Sequence, residues 1–523
     1  TARVETMIDR GLQREVESAA GDVLRPLAKR NVTAASVLVV DNATGDVLAY
    51  VGSPRWEDDA NGGHDDGVRA RRQPGSTLKP FVYGLGMEDL GWTPATVLPD
   101  VELHLMTPGG RYSPRNYDER FHGPVRLREA LANSYNVPAV FAANEVGVGR
   151  VLERLREVGF RTLGETAEFY GPALALGDGE VRLYDLVGAY AAIARGGVHR
   201  PLRVVRAAAD VSLPAPAAVD ERRVMPEPVA AMLADMLRDR SARVAAFGES
   251  SALDLPFEVA AKTGTSKGYR DNWTVGFTRE VTVGVWVGNF DGRPMTKVSG
   301  ITGAAPLFAA AMSAAMRRVT SEPAHAPERD VAGVERVHVC ALSGGAPGAG
   351  CKHVVDEIIP KGRVLAPCGM HETMKIDTRN GLRATPSCPP RFVAERTFER
   401  FDGPFASWAH AAGRADAPTS SSPLCGPLRA GEGGAGLRPD VAIRYPHDGA
   451  RFLVDPDRPR SAQAIPLKVD APASSMVALF VDGRLAGRGA AGAPVYWALE
   501  RGEHAIVAEA DGHRSEPVSI LVE

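Results

Sequence analysis

The sequence predicts an α+β chain: an antiparallel sheet with helices packed on it, followed by a small β-sandwich. Three observations predict it. Strand-like apolar runs stand at both ends of residues 1–320, with helical patterns between them. After Ser321 the composition shifts to Pro, Gly, Ser and Ala. From Asp440 short strand patterns return, with turn signals every 8–12 residues.

Leu12, Val16, Ala19, Val23, Leu24 and Leu27 recur at helical spacing and predict a first helix over residues 10–30. Val37–Val40 and Val47–Val51 flank the turn cluster Asn42-Ala43-Thr44-Gly45 and predict a hairpin. Val125–Ala132, Val151–Val158 and Val181–Arg195 read as helices. Val259–Thr263, Trp273–Phe277 and Val281–Val287 read as strands, the last two tightly joined. Residues 411–438 have the composition of a mobile linker. Beyond it, Val441–Tyr445, Ile465–Val469, Val477–Val481, Tyr496–Leu499 and Ala505–Ala510 are strands of an expected immunoglobulin-like sandwich. The expected domains are therefore 1–325, a connector and linker over 326–438, and a β-domain over 439–523.

Composition excludes some functions. Sixty-one basic and 64 acidic residues leave a net charge of −3, so no electrostatic case exists for nucleic acid. The best membrane candidate, Ala304–Met316, is shorter than the roughly 18–20 apolar residues a bilayer requires. It reads as a buried helix. No signal peptide opens the chain.

The chemistry lies in three short motifs. Ser76-Thr77-Leu78-Lys79 sits between Pro74-Gly75 and Pro80, at a loop-to-helix junction. A lone Ser-x-x-Lys arises about once or twice in any chain this long and is usually a solvated helix start. Here the i, i+3 spacing puts the lysine ammonium within reach of the serine hydroxyl. A helix start also supplies free N–H groups for an oxyanion. Ser134-Tyr135-Asn136 follows the predicted helix ending near Ala132. Its plain reading is a helix cap in which Asn136 takes the left-handed turn. Its functional reading is a proton relay through Ser134 and an amide contact through Asn136.

Lys262-Thr263-Gly264-Thr265 lies on a predicted strand. Lys-Thr/Ser-Gly is rarer, expected in roughly one chain in four. Gly264 permits close backbone approach, Lys262 and Thr265 suit a carboxylate, and the Thr265 N–H can pair with that of Ser76 as an oxyanion hole. An extended peptide would add along this strand.

In this order the three motifs resemble those of the serine penicillin-recognising enzymes. The flanking stretches RRQPGSTLKPFVYGLGMEDLGWTPATVLPD, YSPRNY, FHGPVRLREALANSYNVPAV and AKTGTSKGYRDNWTVGFTREVTVGVWVGNFDGRPM are similar to class A penicillin-binding proteins. VCALSG and the tail after it look like the 1C branch of that family. The resemblance implies the penicillin-binding transpeptidase fold, with a five-stranded antiparallel sheet. It implies Ser76 as nucleophile, Lys79 as acylation base, Ser134 as relay, and Asn136, Lys262, Thr263, Gly264 and Thr265 as substrate-binding residues. Lys262 is expected to stay charged. No cofactor and no metal are implied.

The implied partners are peptidoglycan stem peptides, β-lactams and, through the C-terminal β-domain, other cell-wall synthesis proteins. The implied location is the extracytoplasmic face of the inner membrane. Class A proteins carry an anchor and a glycosyltransferase domain ahead of the transpeptidase. The present sequence holds neither, so the resemblance implies a fragment or a short form.

A hydrolase reading, β-lactamase or D,D-carboxypeptidase, requires a carboxylate that activates water, and no motif supplies one. A non-catalytic peptidoglycan- or partner-binding protein is the other alternative.

All five cysteines fall between Cys340 and Cys425. Cys340, Cys351, His353, Cys368 and His371 offer zinc ligands. The lack of a Cys-x-x-Cys pair and the expectation of export favour disulfides, with at least one thiol left unpaired.

Overall fold

The computed structural model describes residues 4–107, 110–208, 221–319, 333–414, 417–425, 441–454, 463–471 and 475–523. The boundaries expected at 325 and 438, and residues 426–438 of the expected linker, lie outside these. The chain divides into two compact units: residues 1–373 with 397–417, and residues 374–396 with 418–523.

The first unit is built on a five-stranded antiparallel sheet. Its strands are β1 (Ala34–Asp41), β2 (Val47–Val51), β3 (Ala260–Thr265), β4 (Asp271–Phe277) and β5 (Val281–Gly288). Their spatial order is β3-β4-β5-β1-β2, so the strand carrying Lys262 is an edge. Both faces are covered, which explains why these strands read as near-continuous apolar runs. The pleat divides β1 between two cores: Ala34, Leu38 and Val40 face one, Ala35, Val37 and Val39 the other.

On the second face lie α1 (Arg10–Leu27), through Leu12, Val16, Ala20 and Leu24, and the Ala-rich helix Ala304–Val319. That helix is buried, as its composition predicts. The first face carries the helices that hold the site: α2 (Lys79–Asp89), α3 (Leu127–Ala132), α4 (Asn136–Val146), α5 (Leu183–Ala194) and α6 (Glu227–Arg238). Among the described residues, no helix is long and apolar enough to cross a membrane.

Two local expectations need correction. Residues 125 and 126 are strand rather than helix, because Gly123–Arg126 pairs with Val97–Asp100 and the helix begins only at Leu127. Residues 334–360, expected as connector, form the strand pair β6 (Val334–Cys340) and β7 (Val354–Pro360) and cluster with the first unit. Val334, Val337 and Val339 carry that strand signal in a segment whose Pro and Gly content suggested irregular chain.

Among the described residues beyond 440, the second unit holds two β-sheets. One contains Ala442–Tyr445, Ala464–Asp470 and Val495–Ala498; the other is built chiefly on Val518–Val522, Gly502–Ala510, Met476–Val481 and Arg484–Ala490. Leu467, Val469, Leu479, Ile506, Ala508 and Ile520 form a common core between them. Cys388 and Cys425 form a disulfide within this unit.

Candidate active site

Ser76 lies in a single 3-10 turn, Gly75–Leu78, that runs directly into α2. Residues i and i+3 eclipse in a 3-10 turn, which aligns Ser76 with Lys79 more closely than an α-helix would. Two close approaches fix the turn against its neighbours. Gly75 has φ +56°, and a Cβ there would lie 2.7 Å from the Thr265 carbonyl oxygen. A Cβ on Gly264 would lie 2.4 Å from the Pro74 carbonyl oxygen. Only glycines permit the Ser76 turn to sit on the edge strand β3 in this way. From below, the buried Tyr190 hydroxyl of α5 donates to the Thr77 carbonyl at 2.8 Å.

Lys79 is fully buried. Its Nζ donates to the Ser134 carbonyl at 2.6 Å, the Tyr135 carbonyl at 2.9 Å and Asn136 Oδ1 at 2.8 Å, with Ser134 Oγ at 3.4 Å. Three close acceptors suit an ammonium. Burial, and then the charge of Lys262, nevertheless hold its pKa well below the usual lysine value, while Asp100 opposes them.

Ser134 is left-handed at φ +60°, so Ser134, not Asn136, makes the turn after α3. Asn136 instead opens α4. A left-handed non-glycine costs about 1–2 kcal/mol. Here the strained backbone aims a hydroxyl between two lysines: Ser134 Oγ accepts from Lys262 Nζ at 2.8 Å. The Asn136 side chain reaches Lys79 and, through Nδ2, the Arg115 carbonyl at 2.9 Å.

Lys262 is 3% exposed and also donates to the Thr263 carbonyl at 3.0 Å. Burial, and then Arg243, push its pKa down to about 7. Burial therefore works against the charge expected on Lys262. Thr263 is buried, and Thr265 Oγ1 accepts the Gly300 N–H at 2.9 Å. All eight motif residues thus belong to one region formed by the Ser76 turn, the Ser134 turn and β3.

Several contributors escaped the motif search. Asn116 uses its Oδ1 to accept the Asn136 N–H at 2.7 Å and its Nδ2 to bond buried Asp100. His122 joins Asp100 and stacks on Tyr135 at 4.1 Å. Asn133 clasps the helix Arg240–Phe247 by donating to the Ala242 carbonyl and accepting the Ala246 N–H. From that helix buried Arg243 depresses the pKa of Lys262, and neither of its Nη atoms has a hydrogen-bond partner. Asn116 stands in the YSPRNY stretch, which was the one signal available for it.

Residues 35–313, more than half the chain, match the family model described as penicillin binding protein transpeptidase domain. The chain belongs to that family. Its members are enzymes of peptidoglycan synthesis. Residues 432–520 also match the Penicillin-Binding Protein C-terminus Family.

Penicillin-binding protein 1C of Escherichia coli (strain K12) is 35% identical over 306 residues, 58% of this chain and 37% of that protein. The chain spans 37–50% of the length of the curated relatives it matches. Penicillin-binding protein 1A from Haemophilus influenzae superposes with a TM-score of 0.57 at 17% identity, covering 70% of this chain and 73% of that one. The PonA1 protein from Mycobacterium tuberculosis in complex with penicillin V gives 0.52 at 23% identity, covering 62% and 89%. These two likenesses establish the transpeptidase fold.

Proposed function

We propose that the chain is a serine D-Ala-D-Ala transpeptidase that cross-links peptidoglycan stem peptides and is acylated by β-lactams. The observation that carries this reading is the Ser134 hydroxyl, held between Lys79 and Lys262 beside the Ser76 turn. Ser76 Oγ attacks the penultimate D-Ala carbonyl. Its proton passes to Lys79 in the neutral form, and Ser134 relays a proton to the departing D-Ala amine. The Ser76 and Thr265 N–H groups stabilise the oxyanion. An acceptor amine from a second stem peptide then attacks the ester carbonyl, and the serine recovers its proton. The substrate strand lies along the free edge of β3, beside Gly264. Lys262, Thr263 and Thr265 bind its terminal carboxylate, and the buried Arg243 guanidinium favours that anion electrostatically. Asn136 serves the substrate amide once it turns from Arg115.

In this reading the first unit is the catalytic one, and residues 439–523 form an immunoglobulin-like domain that docks cell-wall synthesis partners. The reaction takes place on the extracytoplasmic side of the membrane. Intact mass after incubation with a penicillin tests the proposal, with product analysis on a synthetic pentapeptide. The expected results are one long-lived adduct, lost in Ser76→Ala, and a transfer product when an acceptor amine is present. Labelling that persists in Ser76→Ala refutes the nucleophile. Free tetrapeptide alone, with acceptor in excess, refutes transfer in favour of hydrolysis.

A further inference from the structure

Away from the active site, four soft ligands converge. Cys340 ends β6, Cys351 lies in the loop before β7, and Cys368-Gly369-Met370-His371 follows β7. His371 Nδ1 lies 3.4 Å from Cys340 Sγ, 3.7 Å from Cys351 Sγ and 3.3 Å from Cys368 Sγ. All four donor atoms lie within 4.8 Å of one another. The three cysteines are free, and Cys340 is buried.

Hydrogen bonding alone does not account for this arrangement. A neutral imidazole nitrogen has one lone pair and cannot accept three thiols at once. Disulfides do not account for it either, since three sulfurs cannot all pair. A tetrahedral cation does. With Zn–S near 2.3 Å and Zn–N near 2.0–2.1 Å, a tetrahedron places nitrogen about 3.6 Å from each sulfur. The three observed distances bracket that value.

Surrounding groups fit as well. The Gly348 N–H donates to Cys351 Sγ at 3.3 Å, and backbone groups of Ser343 and Leu342 hydrogen-bond the Cys340 sulfur. Such N–H bonds orient metal-bound thiolates. Backbone bonds from Ala346 to Ala366 at 2.8 Å and from Cys368 to Ala346 at 2.9 Å bring the ligand-bearing loops together without help from the sulfurs. His353, the remaining ligand suggested by the sequence, is exposed and takes no part.

We propose that Cys340, Cys351, Cys368 and His371 form a closed structural zinc site that ties the β6–β7 segment together. Four protein ligands leave no open position, so the site is structural rather than catalytic. The disulfide expected among the five cysteines forms between Cys388 and Cys425, and the proposal departs from the expectation of no metal only at the other three.

The test is zinc content of the full chain, purified without chelator, with cobalt titration of the demetallated protein. The expected result is about one zinc per chain, and sulfur-to-cobalt charge-transfer absorption on adding cobalt to the parent. Both should be largely lost in Cys368→Ser and His371→Ala. The double variant Cys388→Ser with Cys425→Ser, which opens the disulfide, should keep both signals. Parent protein without zinc whose three thiols all react freely, or a disulfide among the three by peptide mapping, overturns the proposal. So does zinc that follows Cys388 and Cys425 instead. Because the parent supplies its own readout, a variant that fails to fold leaves the test intact.

Discussion

Replacing Lys262 by Met should stabilise the protein while abolishing acylation. The charged form of Lys262 is penalised in the fold, which lowers its pKa from 10.5 to about 7. At 1.36 kcal/mol per pH unit, that interval corresponds to roughly 5 kcal/mol. The sign follows from linkage. Above about pH 10.5 the lysine is neutral in both folded and unfolded chains and costs nothing. As pH falls from there, the unfolded chain takes up a proton that the folded chain resists, and stability is lost progressively. The loss is complete below about pH 7. Methionine has similar length, no charge and no such dependence.

Against this gain stand the bonds to Ser134 Oγ and the Thr263 carbonyl, at about 1 kcal/mol each. A net gain of about 3 kcal/mol remains at pH 6. For a unit of this size it should appear as a rise on the order of 5 °C in Tm. Thermal melts of both proteins at pH 6, 7.5 and 9 measure it. The difference should be largest at pH 6 and shrink toward pH 9. A variant that melts at or below the parent at pH 6, or a difference that grows with pH, would refute the idea that this cation is held at a cost.

Three further outcomes follow from the same geometry. Ser134→Ala should keep the fold and slow acylation by about 10²–10⁴, the usual worth of a proton-transfer group, as stopped-flow labelling with a chromogenic β-lactam would show. Lys79→Arg retains a charge that cannot be given up near neutral pH and should acylate slower by orders of magnitude, whereas Lys262→Arg should retain measurable acylation and show a weaker alkaline loss above about pH 7; rate–pH profiles of both variants decide whether the roles are reversed. Glu357→Ala removes a fully buried carboxylate bonded to Arg126 at 3.2 Å and to Arg128 Nε at 2.9 Å, and should destabilise the first unit by about 3 kcal/mol in denaturant titration.

The readable part of the site was the part carried by local spacing. Ser76 and Lys79 lie three residues apart, and Gly264 follows Lys262 by two, so each motif states its own geometry. What remained hidden depends on partners distant in sequence. Asn116 meets Asn136, Asn133 meets Ala242 and Ala246, and Arg243 acts on Lys262. An Asn or Arg in isolation has no periodicity that reveals such a partner. The plain reading of Ser134-Tyr135-Asn136 puts a left-handed turn at Asn136, because asparagine tolerates that conformation better than serine. Tertiary anchoring at Asn133 and Lys79 overrode it. In the fold, the alternation of β1 between two cores was legible as an apolar run, whereas β6 and β7 were obscured by neighbouring Pro and Gly. The proposed zinc ligands lack a Cys-x-x-Cys pair, although Cys368-Gly369-Met370-His371 has the same two-residue gap.

The β6–β7 segment buttresses the short helix that leads into the Ser134 turn. Ser134 must hold a strained left-handed backbone while its hydroxyl stands between two buried lysines, and neither condition is stable by itself. The restraint comes from α3, the short helix that ends just before it. Arg128 on α3 is fastened by Asp235 of α6, by Asp239 and by Glu357 of β7. Arg126, at the start of α3, is fastened by Glu129 and Glu357. Glu357 therefore bonds both arginines at the base of the helix. A six-residue helix has too few internal bonds to hold its orientation alone. Anchoring by a buried carboxylate from another segment supplies what its length does not. The proposed zinc site lies at the far end of that same strand pair, where Cys340 closes β6 and Cys351 precedes β7. A cation there would hold the register of the strand that presents Glu357, and through Arg128 the position of the hydroxyl that the proposed acyl transfer uses.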